Sequence, residues 1–162
     1  MSRALTETAN VDSVIARLTQ ATADVVKGSN ARIALVDPTG LGARWFAGLH
    51  ETNDRPDAAY AAMLTECIDV RLEPFSLHGS NPSIPKPLAD RWHAQRRAHS
   101  LIVPLWDDGT LLGVAEIWND AASWTFSRED VDVVAAMSRE ATLASATLTR
   151  LNRRGAAPTI AP

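Results

Sequence analysis

Residues 100–118 read Ser100-Leu101-Ile102-Val103-Pro104-Leu105-Trp106, then Asp107-Asp108-Gly109-Thr110, then Leu111-Leu112-Gly113-Val114-Ala115-Glu116-Ile117-Trp118. Two apolar runs joined by an Asp-Gly pair are the strongest short-range signal of a β-hairpin. Alternation along the second run puts Val114, Glu116 and Trp118 on one face and Ala115 and Ile117 on the other. A carboxylate between large apolar side chains is a poor partner for a covering layer of helices. The Glu116 face is therefore assigned to the opposite side of the sheet. On the first run either Ser100, Ile102 and Pro104 or Leu101, Val103 and Leu105 share that side, and both registers stay open.

Downstream, Ser127-Arg128-Glu129-Asp130 opens a long helix. Ser127 and Asp130 have capping-box spacing, and Glu129 and Asp130 suit the positive end of the helix dipole. Upstream, Val11, Val14, Ile15, Leu18, Ala21, Thr22, Val25 and Val26 recur at helical spacing. Asn10 is placed as the cap of that helix and Lys27-Gly28 as its end. Residues 31–37 and 44–48 read as strands around a Pro/Gly-rich turn, and residues 57–67 as a helix. Residues 69–75 read as a strand with Pro74 at its edge, 76–87 as a Pro-rich loop, and 88–97 as a short helix carrying Trp92. The expected organisation is a flexible lead-in over 1–9, one α+β domain over 10–152 and a flexible tail over 153–162.

Composition narrows the class. The 162 residues, 46% hydrophobic and 22% charged, suffice for one domain with its own core. A single cysteine, Cys67, excludes an internal disulfide framework. A net charge of −3 points away from nucleic acid. No apolar run approaches the roughly 18 residues of a membrane span. The polar first ten residues lack the order of a signal peptide. A cytoplasmic domain with no membrane association is the expectation.

The Ser100–Leu105 strand, the Asp108-Gly109 turn and the Leu112–Ile117 strand resemble the core of a GAF domain, and Phe126-Ser127-Arg128-Glu129-Asp130-Val131 resembles the helix start that follows it there. The N-terminal half resembles that family in element order. The resemblance implies a central antiparallel β-sheet with the N- and C-terminal helices on one face. It places the middle segment on the other face, with a small-molecule pocket between. It further implies a sensory role, a signalling protein as partner, and pairing of terminal helices between two copies.

The residues bear on the individual chemistries of that family. The Asn-Lys signature of cyclic-nucleotide binders is absent. Cys67 is followed by Ile68, whereas chromophore-bearing members commonly carry a Cys-His pair, and a lone cysteine reads as a small buried hydrophobe. One cysteine cannot run a cycle that needs a nucleophilic and a resolving thiol. His50, His78, His93 and His99 are the possible haem ligands, and His93 and His99 show no metal-binding spacing. Asp107-Asp108 falls in the hairpin turn, and no catalytic motif is present. The chain is therefore read as non-enzymatic, with its cofactor undetermined.

Trp45, Trp92, Glu116 and Trp118 are the leading ligand-binding candidates, being aromatic or acidic on the elements assigned to the pocket. Tyr60 and Arg91 are secondary ones. The last helix carries Val134, Met137, Ala141 and Leu148 in a 3-4 repeat, assigned to a homodimer seam as an alternative to packing within the domain. The alternative function is a ligand-free dimerisation or docking module.

Overall fold

The computed structural model describes residues 2–26, 30–36, 43–47, 58–68, 71–79, 82–95, 97, 99–119 and 125–155. Among them the chain forms α1 (Ser2–Val25), β1 (Asn30–Val36), β2 (Ala43–Ala47), α2 (Ala58–Ile68), β3 (Phe75–His78), α3 (Lys86–Ala94), β4 (His99–Asp107), β5 (Thr110–Trp118) and α4 (Arg128–Gly155). The strands form one sheet in the order β2-β1-β5-β4-β3, with every neighbouring pair antiparallel. This is the expected α+β architecture.

The β4–β5 hairpin lies within the sheet, between β1 and β3. Asp107 pairs with Thr110, leaving Asp108 and Gly109 as a two-residue loop. Their φ angles are 45° and 73°. Positive φ at both positions defines the turn whose twist matches that of the flanking strands, and Asp-Gly tolerates it better than most pairs. Gly113 has a different task. A Cβ there would collide with the Ala34 carbonyl oxygen on β1, so the close approach of β1 and β5 depends on its absence.

The pleat of β4 and β5 separates two cores. On one face Leu101, Val103, Leu105, Ala115 and Ile117 pack with Ile15 of α1, Val26 just beyond it, and Val134 and Ala141 of α4. On the other, Ile102 and Val114 pack with Tyr60 and Leu64 of α2 and Leu88 and Trp92 of α3. The register left open on β4 is thereby decided: Ser100 and Ile102 lie across from Trp118 and Glu116. Ser127 closes α4, its hydroxyl accepting from the Asp130 amide at 3.1 Å while the Asp130 carboxylate accepts from the Ser127 amide at 2.8 Å. That is the expected capping box.

Four expectations need correction. Helix α1 begins at Ser2 rather than after Asn10, because Ala4, Leu5 and Glu7 are good helix formers and no Pro or Gly interrupts them. The third strand begins at Phe75, after Pro74 and not before it, since proline has no N–H to give to the ladder. Helix α3 starts earlier, at Lys86, with the Leu88 and Ala89 amides donating to the Pro85 carbonyl at 2.9 and 3.1 Å. Finally, the stripe assigned to a dimer seam is largely used within the domain. Val134 and Ala141 are each 1% exposed, and Met137 Sδ lies 3.7 Å from the Thr22 hydroxyl of α1. The Leu148 side chain and the 38–42 turn lie outside the described residues. Among the described residues no helix is long and apolar enough to cross a membrane.

Candidate functional site

The β5 face directed away from α1 and α4 carries Glu116, which is completely buried. Strand pairing brings Arg32 of β1 directly opposite it on one side and Ile102 of β4 on the other. Arg32 donates from Nε to Glu116 Oε2 at 2.8 Å, and its Nη2 lies 2.7 Å from the same oxygen. Helix α2 places Tyr60 above the sheet, where its hydroxyl is 2.8 and 3.0 Å from the two carboxylate oxygens. Helix α3 places Trp92, whose indole N–H donates to the Tyr60 oxygen at 2.8 Å. Beyond α3 the Arg97 amide donates to the Trp92 carbonyl at 2.8 Å. That bond turns the Arg97 guanidinium back onto Glu116 Oε1 at 3.2 Å, and Ser100 Oγ reaches the same oxygen at 3.2 Å.

Aromatic rings enclose the charges. The Arg32 guanidinium carbon sits 4.5 Å from the Tyr60 ring centre, 4.7 Å from that of Trp118 and 5.3 Å from that of Trp45. Arg97 stacks 3.7 Å from the Trp118 ring, and half-buried Arg91 lies 4.7 Å from that of Tyr60. Guanidinium over an indole face is favourable, the more so when water is excluded.

The electrostatics follow from burial and partners. Burial alone would raise the Glu116 carboxyl, but Arg32, Arg97 and the Tyr60 hydrogen bond together outweigh it and hold the carboxyl below its usual value. Burial, then the adjacent Glu116 charge, pushes the Tyr60 phenol well above its usual range. Glu116 is thus anionic and Tyr60 a neutral donor across the physiological range.

All four leading candidates fall in this one cluster. Trp92 and Glu116 join through Tyr60, while Trp45 and Trp118 wall Arg32. The secondary candidates Tyr60 and Arg91 are there too. Sequence reasoning missed Arg32, Arg97 and Ser100 as site residues. Arg32 had a usable signal: it is a lone charge in the apolar run Ala31–Val36, the same anomaly that singled out Glu116. Arg97 had none, because only the turn after α3 brings it back to the sheet.

The remaining sequence candidates lie elsewhere. The His78 and His99 rings meet at 4.4 Å on the β3–β4 edge, and burial, then the neighbouring His78, disfavours protonation of His99. His93 is exposed on α3, and His50 lies outside the described residues. Asp107 faces Arg150 at 3.7 Å on the surface. Cys67 is half-buried on α2, where burial pushes its thiol up to about 11, so it is not a thiolate at neutral pH. Among the described residues no group of three or more His, Cys, Asp or Glu converges as metal ligands. A hollow of about 10 Å³ between the helices and the sheet has room for little more than a water. A groove of about 780 Å³ runs between Leu72–Pro74, β4 and α4, away from Glu116.

The GAF domain model matches residues 5–144. None of the curated proteins matches the chain. Among solved structures, a GAF domain/HD domain protein from Geobacter sulfurreducens is similar at a TM-score of 0.70 and 18% identity, over 92% of this chain and 99% of that one. The blue-light absorbing form of the Thermosynechococcus elongatus PixJ GAF domain is similar at a TM-score of 0.69 and 11% identity, over 94% of each chain. A domain of a putative two-component sensor histidine kinase protein from Sinorhizobium meliloti 1021 is similar at 0.60 and 18%, over 87% of this chain and 96% of that one.

Proposed function

The chain belongs to the GAF domain family, and on that premise we propose that it is a sensory domain that binds a small molecule without transforming it. Binding takes place between the sheet face bearing Trp45, Glu116 and Trp118 and Trp92 of α3. The observation that carries this reading is the convergence of buried polar and aromatic groups from β1, β2, α2, α3, β4 and β5 on that face. A mostly apolar wall with a few placed polar groups is the usual composition of a ligand site. The related folds in a photoreceptor and a sensor kinase protein support a signalling setting.

Relay runs through the sheet. Glu116 and Ile117 are consecutive on β5, one contacting the site and the other the core beneath α1 and α4. A ligand that shifts the β5 backbone at Glu116 also shifts Ile117 and Ala115, and with them the packing of the terminal helices. Those helices pass the change to a signalling protein.

A native mass spectrum of the purified protein tests the proposal. An adduct lost on denaturation, and weakened in Trp118→Ala, is the expected result. A bare protein that no member of a broad metabolite library stabilises against heat overturns it. A second reading, a dimerisation module, draws on exposed Val14, Val25 and Leu143 on the outer helices, at 41, 47 and 63% exposure. A bare dimer in the same spectrum favours it.

A further inference from the structure

We infer that residues 58–97, with α2, β3 and α3, form one cooperative unit that lifts off the sheet while the rest of the domain stays folded. Glu116 is the latch that holds both ends of that unit. This holds for the protein alone, apart from the ligand-binding reading above.

The two cores divide the chain. The core beneath α1 and α4 draws on those helices and on β1, β2, β4 and β5, with Ile15, Ile33, Val103, Ile117 and Val134 among its members. Among the described residues it takes none from 58–97. The core on the other face is built the opposite way. Most of its buried members, Tyr60, Leu64, Ile68, Leu88 and Trp92 among them, belong to the segment. The rest of the domain supplies Ala34, Ile102 and Val114. Release of the segment therefore opens the second core and leaves every residue of the first in place. A contiguous stretch with a core of its own is the usual form of a sub-global unfolding unit.

The middle of the segment is lightly held. Strand β3 lies at the sheet edge and pairs with β4 over Phe75–His78 alone. Nearby, the Trp106 indole donates to the Arg71 carbonyl at 3.0 Å, in an exposed position.

The ends are held differently. Tyr60 stands in the first turn of α2, and Arg97 lies three residues beyond the end of α3. They are 37 positions apart, yet they meet on one oxygen. The Tyr60 hydroxyl donates to Glu116 Oε1 at 2.8 Å, and Arg97 Nη1 donates to the same atom at 3.2 Å. Inside the unit, the Trp92 indole donates to the Tyr60 oxygen and ties α3 to α2. Bonds to a carboxylate are stronger than neutral ones, and a buried donor that loses such a bond is costly to leave alone. The two ends are thus held and released together. Tyr60, Trp92 and Glu116 are completely buried, so release is what opens this face to a molecule in solution.

Native-state hydrogen–deuterium exchange of the full chain, read by mass spectrometry, tests this. Amides of α2, β3 and α3 should share one opening free energy, lower than that of α4, β1 and β5. Tyr60→Phe and Arg97→Met remove the ties at opposite ends, and each should speed exchange about tenfold across the whole segment. Val134→Ala, which weakens the core beneath α4, should speed exchange in α4 and leave the segment unchanged. If Tyr60→Phe loosens α2 alone and Arg97→Met the end of α3 alone, the helices fray separately and the unit is overturned. A segment that opens at the same free energy as α4, or follows it in Val134→Ala, opens only globally, which overturns the unit too. No acceleration in either end variant removes Glu116 as the latch. If one of those variants fails to fold, the other reads the same unit from its opposite end.

Discussion

Ile117 and Glu116 are neighbours on β5, both buried, and they hold the protein together by different physics. Ile117 lies in the core between the sheet and α1 and α4, where stabilisation is proportional to apolar area and indifferent to direction. Glu116 lies in a network of four donor residues, each bond directional and each partner costly to orphan. The helix face therefore has local and graded tolerance, whereas the other face behaves as a unit. Such a unit can also be reorganised by a ligand that offers competing bonds, whereas a packed apolar layer has no equivalent chemistry.

The comparison is broken or sharpened by substitution. Glu116→Ala should have the largest effect, lowering unfolding free energy in urea by about 3–5 kcal/mol, because two buried guanidiniums lose their counter-charge. Ile117→Ala should cost roughly 3 kcal/mol through the cavity it leaves. The two deficits part company with pH. The Glu116 carboxyl is depressed below its ordinary value of 4.5, so its contribution is present above that pH and is lost as pH falls through the depressed value. On acidification the Glu116→Ala deficit should therefore shrink and the Ile117→Ala deficit stay constant. Parallel deficits would mean that Glu116 acts by shape alone.

Smaller changes refine the network. Tyr60→Phe keeps the ring against Arg32 and removes the hydroxyl that donates to Glu116 and accepts from Trp92. A loss of about 2 kcal/mol is expected in the same measurement. A loss within error would show that Trp92 and Glu116 are satisfied without it. Ser127→Ala, remote from both faces at the start of α4, should cost about 1 kcal/mol through its cap and leave ligand response unchanged. Altered response would reveal coupling between the helix start and the site.

Much of this was legible from residues. The hairpin followed from Asp108-Gly109 between apolar runs, and the placement of Glu116 on the face away from α1 and α4 from alternation. The cap followed from the spacing of Ser127 and Asp130. Each is a local rule acting within a few residues. The helix stripe of Val134, Met137, Ala141 and Leu148 was ambiguous for a related reason: spacing reports that a face is apolar, not what covers it. The start of α1 carries no such local mark, since residues 2–10 join the helix through intrinsic propensity and not through a cap at Asn10.

The sequence by itself determined the β4–β5 hairpin, the start of α4, which residues of β5 share a face, and that Glu116 shares one with Trp118. Only the tertiary structure decided that Arg32, Tyr60, Arg97 and Ser100 complete its bonding, with Trp92 behind Tyr60. Their separations along the chain, up to 84 positions between Arg32 and Glu116, are bridged by strand register and by the turn after α3. Periodicity sets which way a side chain points. What it meets depends on which distant segment the chain brings opposite, and long-range pairing leaves no mark at short range.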